Sequence, residues 1–587
     1  MLAEKQWILL PQAEEGSTQK LAKALDIPAV LADLLIQRGI NSVEEARSFF
    51  SPSLDKLHDP FLFKDMDKAV ERVERAISRG EKILVYGDYD VDGTTAVALI
   101  YKFFTSIGHN EISFYIPDRY SEGYGISTRG IDYASDNGFS LIIALDCGIK
   151  AVDKIKYASK KGVDFIICDH HLPDETIPDA VAVLDSKRVD CNYPFKELSG
   201  CGVGFKLAQA YAMRNNISFD KVEALLDLVV VSIASDIVPV TGENRILSYF
   251  GLKRLNSNPS RGLDSIIKIC GLEKHPITID DIVFKIGPRI NAAGRMEVEL
   301  DEVVEKSSGG NNAVRLLIST TDERAVKYGN IIDTNNNSRK EIDRSITIDA
   351  HRILEQQDLI NEAKCTVLYN PDWVKGVVGI VASRLIERYY RPTVVLTMSN
   401  GFITGSARSV PGFDLYQAIE SCSDILENFG GHTYAAGLTM RPERLDEFKR
   451  RFEVYVDENI VDSMLIPKID IDADLPLEDI TVKFRETLCR FQPFGPGNPS
   501  PTFRTCRVSD FGHGRRVGLN LEHLKMDIIY MGSSSPISAI AFGQSRYASH
   551  ILAGGVFDIC YSVVENSYRG EVKPQLRVKD IKVSSSK

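Results

Sequence analysis

Five short apolar runs between residues 82 and 185, "KILVYGD", "EISFYIP", "LIIALDCG", "DFIICDHH" and "AVAVLD", alternate with segments of helical period such as "TTAVALIYKFFTSIG" and "KAVDKIKYASKKG". Such alternation predicts a mostly parallel sheet with helices on both faces. In sheets of this kind ligands sit beyond the carboxyl ends of the strands. Three chemically loaded segments fall there: "GDYDVDG", "LDCG" and "CDHH".

A chain of 587 residues exceeds what one hydrophobic core supports and implies several domains. Residues 1–60 read as short helices, including "SVEEARSFF" with a Ser/Glu capping box, and "KDMDKAVERVERAISRG" opens the first α/β domain (61–320) and ends on a glycine cap. The polar, helical stretch after residue 320 reads as a connector helix (321–360). A second α/β domain (361–462) contains "KCTVLYN" and "GFITGSARSV". From 463 to 587 short alternating strands with turn residues suggest a small antiparallel barrel.

No run of 18 apolar residues and no basic leader with a cleavage site are visible, so a cytoplasmic protein without a membrane partner is expected. Ten scattered cysteines without a C-x-x-C pair argue against zinc and against a disulfide framework. The net charge of −11 is unusual for a nucleic-acid binder, but part of it comes from acidic residues that a metal would neutralise, so it does not decide the partner.

Asp88, Asp90 and Asp92 crowd one strand end, where alternate residues are expected to project to the same side. Burying like charges unpaired costs several kcal/mol, which calls for a compensating cation. Asp146 ends a second strand and could bridge two ions. His170 offers an imidazole from a third strand, and Asp236 would close the second ion's shell. Carboxylates with imidazole suit Mn²⁺ or Mg²⁺, and two such ions would support phosphoester hydrolysis. Singly, each motif has a plainer reading: Asp-x-Asp after a strand is commonly a turn or a helix cap. "GCGVGFKLAQA" (Gly200 to Ala210) is read as a tight turn opening a helix against the sheet, in preference to a phosphate loop.

Taken in order, "GDYDVDGTTA", "LDCG", "CDHH" and "ASDIVPV" resemble the motifs of the DHH phosphoesterase superfamily. With "GPRINAAGR", "GSARS", "GGHTYAAG" and "FQPFGPGNPSPTF", the likeness extends to its bacterial single-strand-specific exonucleases, from about residue 20 onward. The resemblance implies two α/β domains (DHH and DHH-associated) joined by a long helix, plus a C-terminal OB-fold-like β-barrel. It implies Asp90, Asp92, Asp146, His170 and Asp236 as ligands of two Mn²⁺ or Mg²⁺ ions, with Asp88 in or beside the shell and His171 on the scissile phosphate; catalysis would rest on Asp90, Asp146 and His171. The superfamily's first motif often begins with a histidine where this chain has Tyr86.

The activity implied is 5′-to-3′ removal of nucleotides from single-stranded DNA in repair and recombination, with a single-strand-binding protein or a helicase as candidate partners and a monomeric enzyme expected. Arg119 resembles the family's 5′-phosphate contact, with Ser406 and Arg408 from the second domain. Tyr124 could stack on a base or be a packed loop residue. Arg289 and Arg295, flanking an expected sharp "INAAG" turn, could hold backbone phosphate or make structural ion pairs. Gly430 and Gly431 would let backbone approach phosphate, with His432 a polar contact in preference to a metal ligand. Arg515, Arg516 and Lys525 are weaker candidates on the barrel. The stretch after Arg295 is longer and more acidic than is usual in the family. Two rival readings stand beside this one: a phosphodiesterase for short oligonucleotides or cyclic dinucleotides, and a non-catalytic single-strand-binding scaffold.

Overall fold

The computed structural model describes residues 4–295, 309–356, 363–530, 535–568 and 571–583. The chain forms two compact units, one of residues 11–336 and 472–587, the other of residues 1–10 and 337–471.

In the first unit, strands β1 (Lys82–Gly87), β2 (Ile112–Tyr115), β3 (Phe139–Leu145), β4 (Asp164–Cys168) and β5 (Ala182–Leu184) make one parallel sheet in the order β2-β1-β3-β4-β5. Each inner strand is a continuous apolar run because helices cover both faces. On one face lie helices α1 (Val91–Ser106), α2 (Gly200–Arg214) and α3 (Leu226–Ser235), nearly all of whose residues are buried. Helices α1 and α2 pack on the sheet and α3 packs on both of them, which is why all three are apolar nearly all round. Helix α4 (Gly242–Ser257) packs against α3.

The C-terminal barrel belongs to the same unit. Strands β11 (Ala473–Asp474), β12 (Phe503–Asp510), β13 (Arg515–Val517), β14 (His523–Tyr530), β15 (Ile537–Ala541), β16 (Phe557–Tyr568) and β17 (Glu571–Val583) run in the order β11-β12-β16-β17-β15-β14-β13. Pairing of Val508 to Asp510 with Ile528 to Tyr530 joins β12 to β14 and closes the ring, which removes the open edges of a sheet. The N-terminal helices Glu15–Leu25, Ala29–Gln37 and Val43–Phe50 share its apolar core: Leu31, Leu34 and Leu35 cluster with Phe484, Phe491 and Phe503. Ser42 and Glu45 form the expected capping box at the third of them.

A 35-residue helix, α5 (Asp322–Gln356), joins the two units in sequence. The second unit has strands β6 (Thr366–Tyr369), β7 (Thr393–Ser399), β8 (Phe402–Arg408), β9 (Asn428–His432) and β10 (Ala435–Met440) in the order β9-β10-β8-β7-β6, with helix α6 (Lys375–Tyr389) against β7 and β8. Within this sheet β6 and β7 pair in parallel and the other described neighbours pair antiparallel. Among the described residues no helix is long and apolar enough to cross a membrane.

Candidate metal centre

The acidic motif departs from the extended geometry expected of it. Strand β1 stops at Gly87, Asp90 is the N-cap of α1, and Asp92 lies in its first turn. The Asp90 carboxylate accepts the Gly93 amide at 3.0 Å, which starts the helix there. A β-carbon at Gly93 would come within 2.4 Å of the Asp88 carbonyl oxygen, so only glycine lets the helix begin this close to the strand. The three aspartates therefore reach the site by a strand-to-helix turn, and strand alternation does not apply to them.

Asp146 follows β3 in a left-handed conformation (φ 58°), its amide tied to the Cys168 carbonyl at 2.9 Å. Asp169, His170 and His171 follow β4. Asp236 caps the C-terminus of α3. The His170 Nε2 lies 3.2 Å from Asp146, 3.6 Å from Asp236 and 3.7 Å from Asp92. Two sets of three side chains thus converge: Asp146 with His170 and His171, and Asp92 with His170 and Asp236. Asp88 and Asp90 stand outside these two sets but inside the same electrostatic cluster, since their carboxyls are raised by burial and then by a neighbouring aspartate.

Burial, followed by the charges of Asp92, Asp90 and other carboxylates, holds the Asp146 carboxyl well above its ordinary range and pushes Asp236 up to about 8. Burial keeps His170 neutral, as a ligand imidazole must be. Neither ring nitrogen of His170 has a partner in hydrogen-bond geometry, and neither does the buried Asp88 Oδ1. Buried polar atoms are satisfied as a rule, and a hard divalent cation answers both the orphaned donors and the mutual repulsion. The residues present fit Mn²⁺ or Mg²⁺.

The Asp-His-His signature alone gives Asp169 no role of its own. Its carboxylate accepts the amides of Ile149, His170 and His171 and stands 2.7 Å from His171 Nδ1. The glycine-rich stretch is α2, as expected, and its first amides do bind an anion: Gly200 and Cys201 donate to the Asp92 carboxylate at 2.7 and 2.8 Å. Sequence spacing carries no trace of that contact.

The Tyr124 hydroxyl lies 3.2 Å from the Asp146 carbonyl and 3.2 Å from His171 Nε2, on an exposed side chain. Tyr86 points into the opposite apolar cluster, where its hydroxyl donates to the Gly125 carbonyl and accepts the Ser127 amide. It thus fastens the loop carrying Tyr124. Arg119 stacks over Tyr89 at 4.9 Å. The "INAAG" segment is no sharp turn: it forms the end of a helix, Gly287–Ala293, that follows directly on a π-helical stretch, Ile282–Ile286, and is capped by Gly294. Arg289 pairs with Asp333 at 2.9 Å, and the Arg295 carbonyl accepts the Tyr120 hydroxyl. Of the long acidic stretch after Arg295, residues 296–308 lie outside the described residues, and Gly309–Leu317 is a helix.

In the second unit Arg408 donates to Ser406 Oγ at 2.7 Å and to the Ala407 carbonyl at 2.8 Å. Gly379 of α6 lies against both side chains. Gly431 (φ 150°) and His432 are exposed on β9. On the barrel, Arg515 and Lys525 are cross-strand partners, with Arg515 and Arg516 exposed.

A profile of the DHH family N-terminal domain matches residues 82–233, one of the DHHA1 domain matches 362–458, and one of the RecJ OB domain matches 471–580. The single-stranded-DNA-specific exonuclease RecJ of Bacillus subtilis is 36% identical over 588 residues, which take in 100% of this chain and 72% of the relative. The Escherichia coli enzyme of that name is 30% identical over 597 residues, 98% of this chain and 99% of the relative. The crystal structure of Thermus thermophilus RecJ in complex with Mn²⁺ superposes with a TM-score of 0.82 at 25% identity, covering 99% of this chain and 80% of that one.

Proposed function

As the chain belongs to the RecJ family of single-stranded-DNA-specific exonucleases, we propose that it hydrolyses single-stranded DNA from the 5′ end to mononucleotides, using two Mn²⁺ or Mg²⁺ ions, in DNA repair and recombination. The observation that carries the reading is His170: a buried neutral imidazole without a hydrogen-bond partner, within 3.7 Å of carboxylates from three separate elements. Asp90, Asp92, Asp146, Asp236 and His170 would hold the ions, with Asp88 beside them. The bound ions supply charge stabilisation of the phosphoryl oxygens and a water of lowered pKa.

The chain's own residues supply the rest. Asp169 holds His171 in one orientation and keeps it charged, so that the Nε2–H of His171 can donate a hydrogen bond to a phosphate oxygen. Tyr124 presents an exposed ring beside His171, suited to a base, whose stacking on an aromatic is sequence-tolerant and worth roughly 1–3 kcal/mol. Arg119 and Arg295 of the first unit would contact DNA phosphate; the second unit, taken by itself, offers Ser406 and Arg408 for a terminal 5′-phosphate and Gly431 and His432 for the backbone. Arg289, already paired with Asp333, would contribute only through a water or a rearrangement. The closed barrel suits a single strand. The proposal includes a monomeric, cytoplasmic enzyme that works beside a single-strand-binding protein or a helicase.

The experiment is a time course with Mn²⁺ and two single-stranded oligonucleotides, one labelled at the 5′ end and one at the 3′ end. Immediate release of labelled mononucleotide from the first, with a shrinking ladder from the second, is expected. Cleavage from the opposite end overturns the polarity, and binding without cleavage overturns the enzyme.

A further inference from the structure

Asp92 enters the metal centre with most of its acceptor capacity already in use. Its Oδ1 accepts the Cys201 amide at 2.8 Å and the Ser232 hydroxyl at 2.6 Å, while Oδ2 accepts the Gly200 amide at 2.7 Å. Each carboxylate oxygen offers about two lone-pair sites. Oδ1 is therefore filled, and Oδ2 retains one site. It is Oδ2 that stands 3.7 Å from His170 Nε2.

The hydroxyl directions follow from the same inventory. An ionised carboxylate only accepts, so Ser232 donates to it. Ser232 Oγ is then the acceptor in its 2.6 Å contact with Ser199 Oγ, and Ser199, the N-cap of α2, accepts the Gly202 amide at 3.1 Å. Both serines are fully buried. The hydrogen bonds run in one sense, from the Gly202 amide through Ser199 and Ser232 to Asp92, and bonds aligned in this way polarise one another.

We propose that this serine relay restricts Asp92 to a single metal-facing oxygen, Oδ2, and that Ser232 is thereby a positioning residue that sets the metal affinity of the centre. The inference rests on the reading of Asp92 as a metal ligand. Loss of the Ser232 hydroxyl vacates a site on Oδ1 and releases one of three restraints on the carboxylate. Removing a partner that orients a metal ligand weakens metal binding about 10–100-fold, and the two remaining amides put the expected loss at about 10-fold, the low end of that range.

The test titrates Mn²⁺ alone into the full-length, metal-free protein by calorimetry, without DNA, for the parent, Ser232→Ala, Ser232→Thr and Asp92→Asn, with a melting curve for each. Weaker binding by Ser232→Ala at about the parent's melting temperature, with affinity regained in the hydroxyl-bearing Ser232→Thr, is the expected result. An unchanged affinity in Ser232→Ala beside a lost site in Asp92→Asn overturns the relay. Unchanged affinity in both overturns Asp92 as a ligand. Should Ser232→Ala fail to fold, Ser232→Cys keeps the volume with only a weak donor, and parent-like Mn²⁺ affinity in that variant overturns the proposal equally.

Discussion

The Asp169 carboxylate stands 2.7 Å from His171 Nδ1, and the same oxygen accepts the amides of His170 and His171. Since an ionised carboxylate only accepts, Nδ1 carries a proton and Nε2 is left to face Tyr124 and the site. Burial opposes charge on both groups, but the hydrogen bond and the mutual attraction outweigh it. They hold Asp169 down at about 2 and push His171 up to about 9.

A raised pKa means the imidazolium persists at neutral pH and is lost only as pH rises through about 9. Asp169→Asn keeps the shape and removes the charge, so burial is opposed only by the more weakly acting Asp236 and Asp92, and the His171 pKa should fall well below about 9. A proton NMR titration of the metal-free protein reads it directly, and a His171 titration unmoved by the substitution refutes the pairing. Cleavage by the variant should decline at lower pH than cleavage by the parent.

A second expectation concerns Gly200. A β-carbon there would stand 2.6 Å from Asp146 Cβ and 2.8 Å from its Cα, atoms of a turn already fixed at φ 58°. Neither neighbour is the free end of a side chain, so the turn itself must shift. Overpacking of this kind costs about 1–3 kcal/mol, and the displaced carboxyl belongs to the proposed metal centre. Gly200→Ala should lower the melting temperature and reduce turnover at least tenfold; parent-like turnover would show that Asp146 tolerates the shift.

Which of these relationships a reader of the sequence could have found depends on how far apart the partners lie. The strand ends, the Asp-His-His run and Asp236 were legible because alternation and local motif place them. The Asp92 anchors were not: Gly200 is 108 residues away and Ser232 140, and nothing in the spacing tells a helix that receives a carboxylate from one that receives phosphate. The same limit hid the shared core of the N-terminal helices and the barrel, whose members Leu34 and Phe503 are separated by most of the chain. The strand geometry assigned to Asp88, Asp90 and Asp92 failed for a local reason. An Asp followed three residues later by glycine is also a helix N-cap, and here the cap won.

Arg408 carries the clearest expectation for end recognition. Burial lowers its pKa, and its described hydrogen bonds go to the neutral Ser406 hydroxyl and the Ala407 carbonyl. A partly buried guanidinium without a carboxylate is matched to an anionic ligand. Hydrogen bonds to charged groups contribute about 1.5–3 kcal/mol, so Arg408→Ala should cut the preference for a 5′-phosphate over a 5′-hydroxyl by roughly tenfold or more. The ratio of kcat/KM on the two substrates measures it, and an unaltered ratio would move the phosphate elsewhere.

Arg245 tests the architecture apart from the chemistry. From α4 its guanidinium donates to the carbonyls of Phe49, Arg490, Phe491, Gln492 and Pro493 and lies 3.7 Å over the Phe49 ring, with only 5% of the residue exposed. One planar cation thus pins the segment between β11 and β12 and the last N-terminal helix to the α/β domain. Desolvation pulls its pKa down to about 10, so it remains charged at neutral pH. Arg245→Met fills much of the space, and although Asn498 Nδ2 still donates to the Phe491 and Pro493 carbonyls, those of Phe49, Arg490 and Gln492 lose their Arg245 donor, each loss costing about 1–3 kcal/mol when no water replaces it. Lysine offers a single ammonium that cannot reach carbonyls lying on several sides. Both variants should therefore lower the denaturation midpoint markedly, with Arg245→Lys giving little rescue, while the Mn²⁺ affinity of the protein that remains folded is unchanged. A lysine variant as stable as the parent would mean that charge alone, and not the fork of donors, holds these segments together.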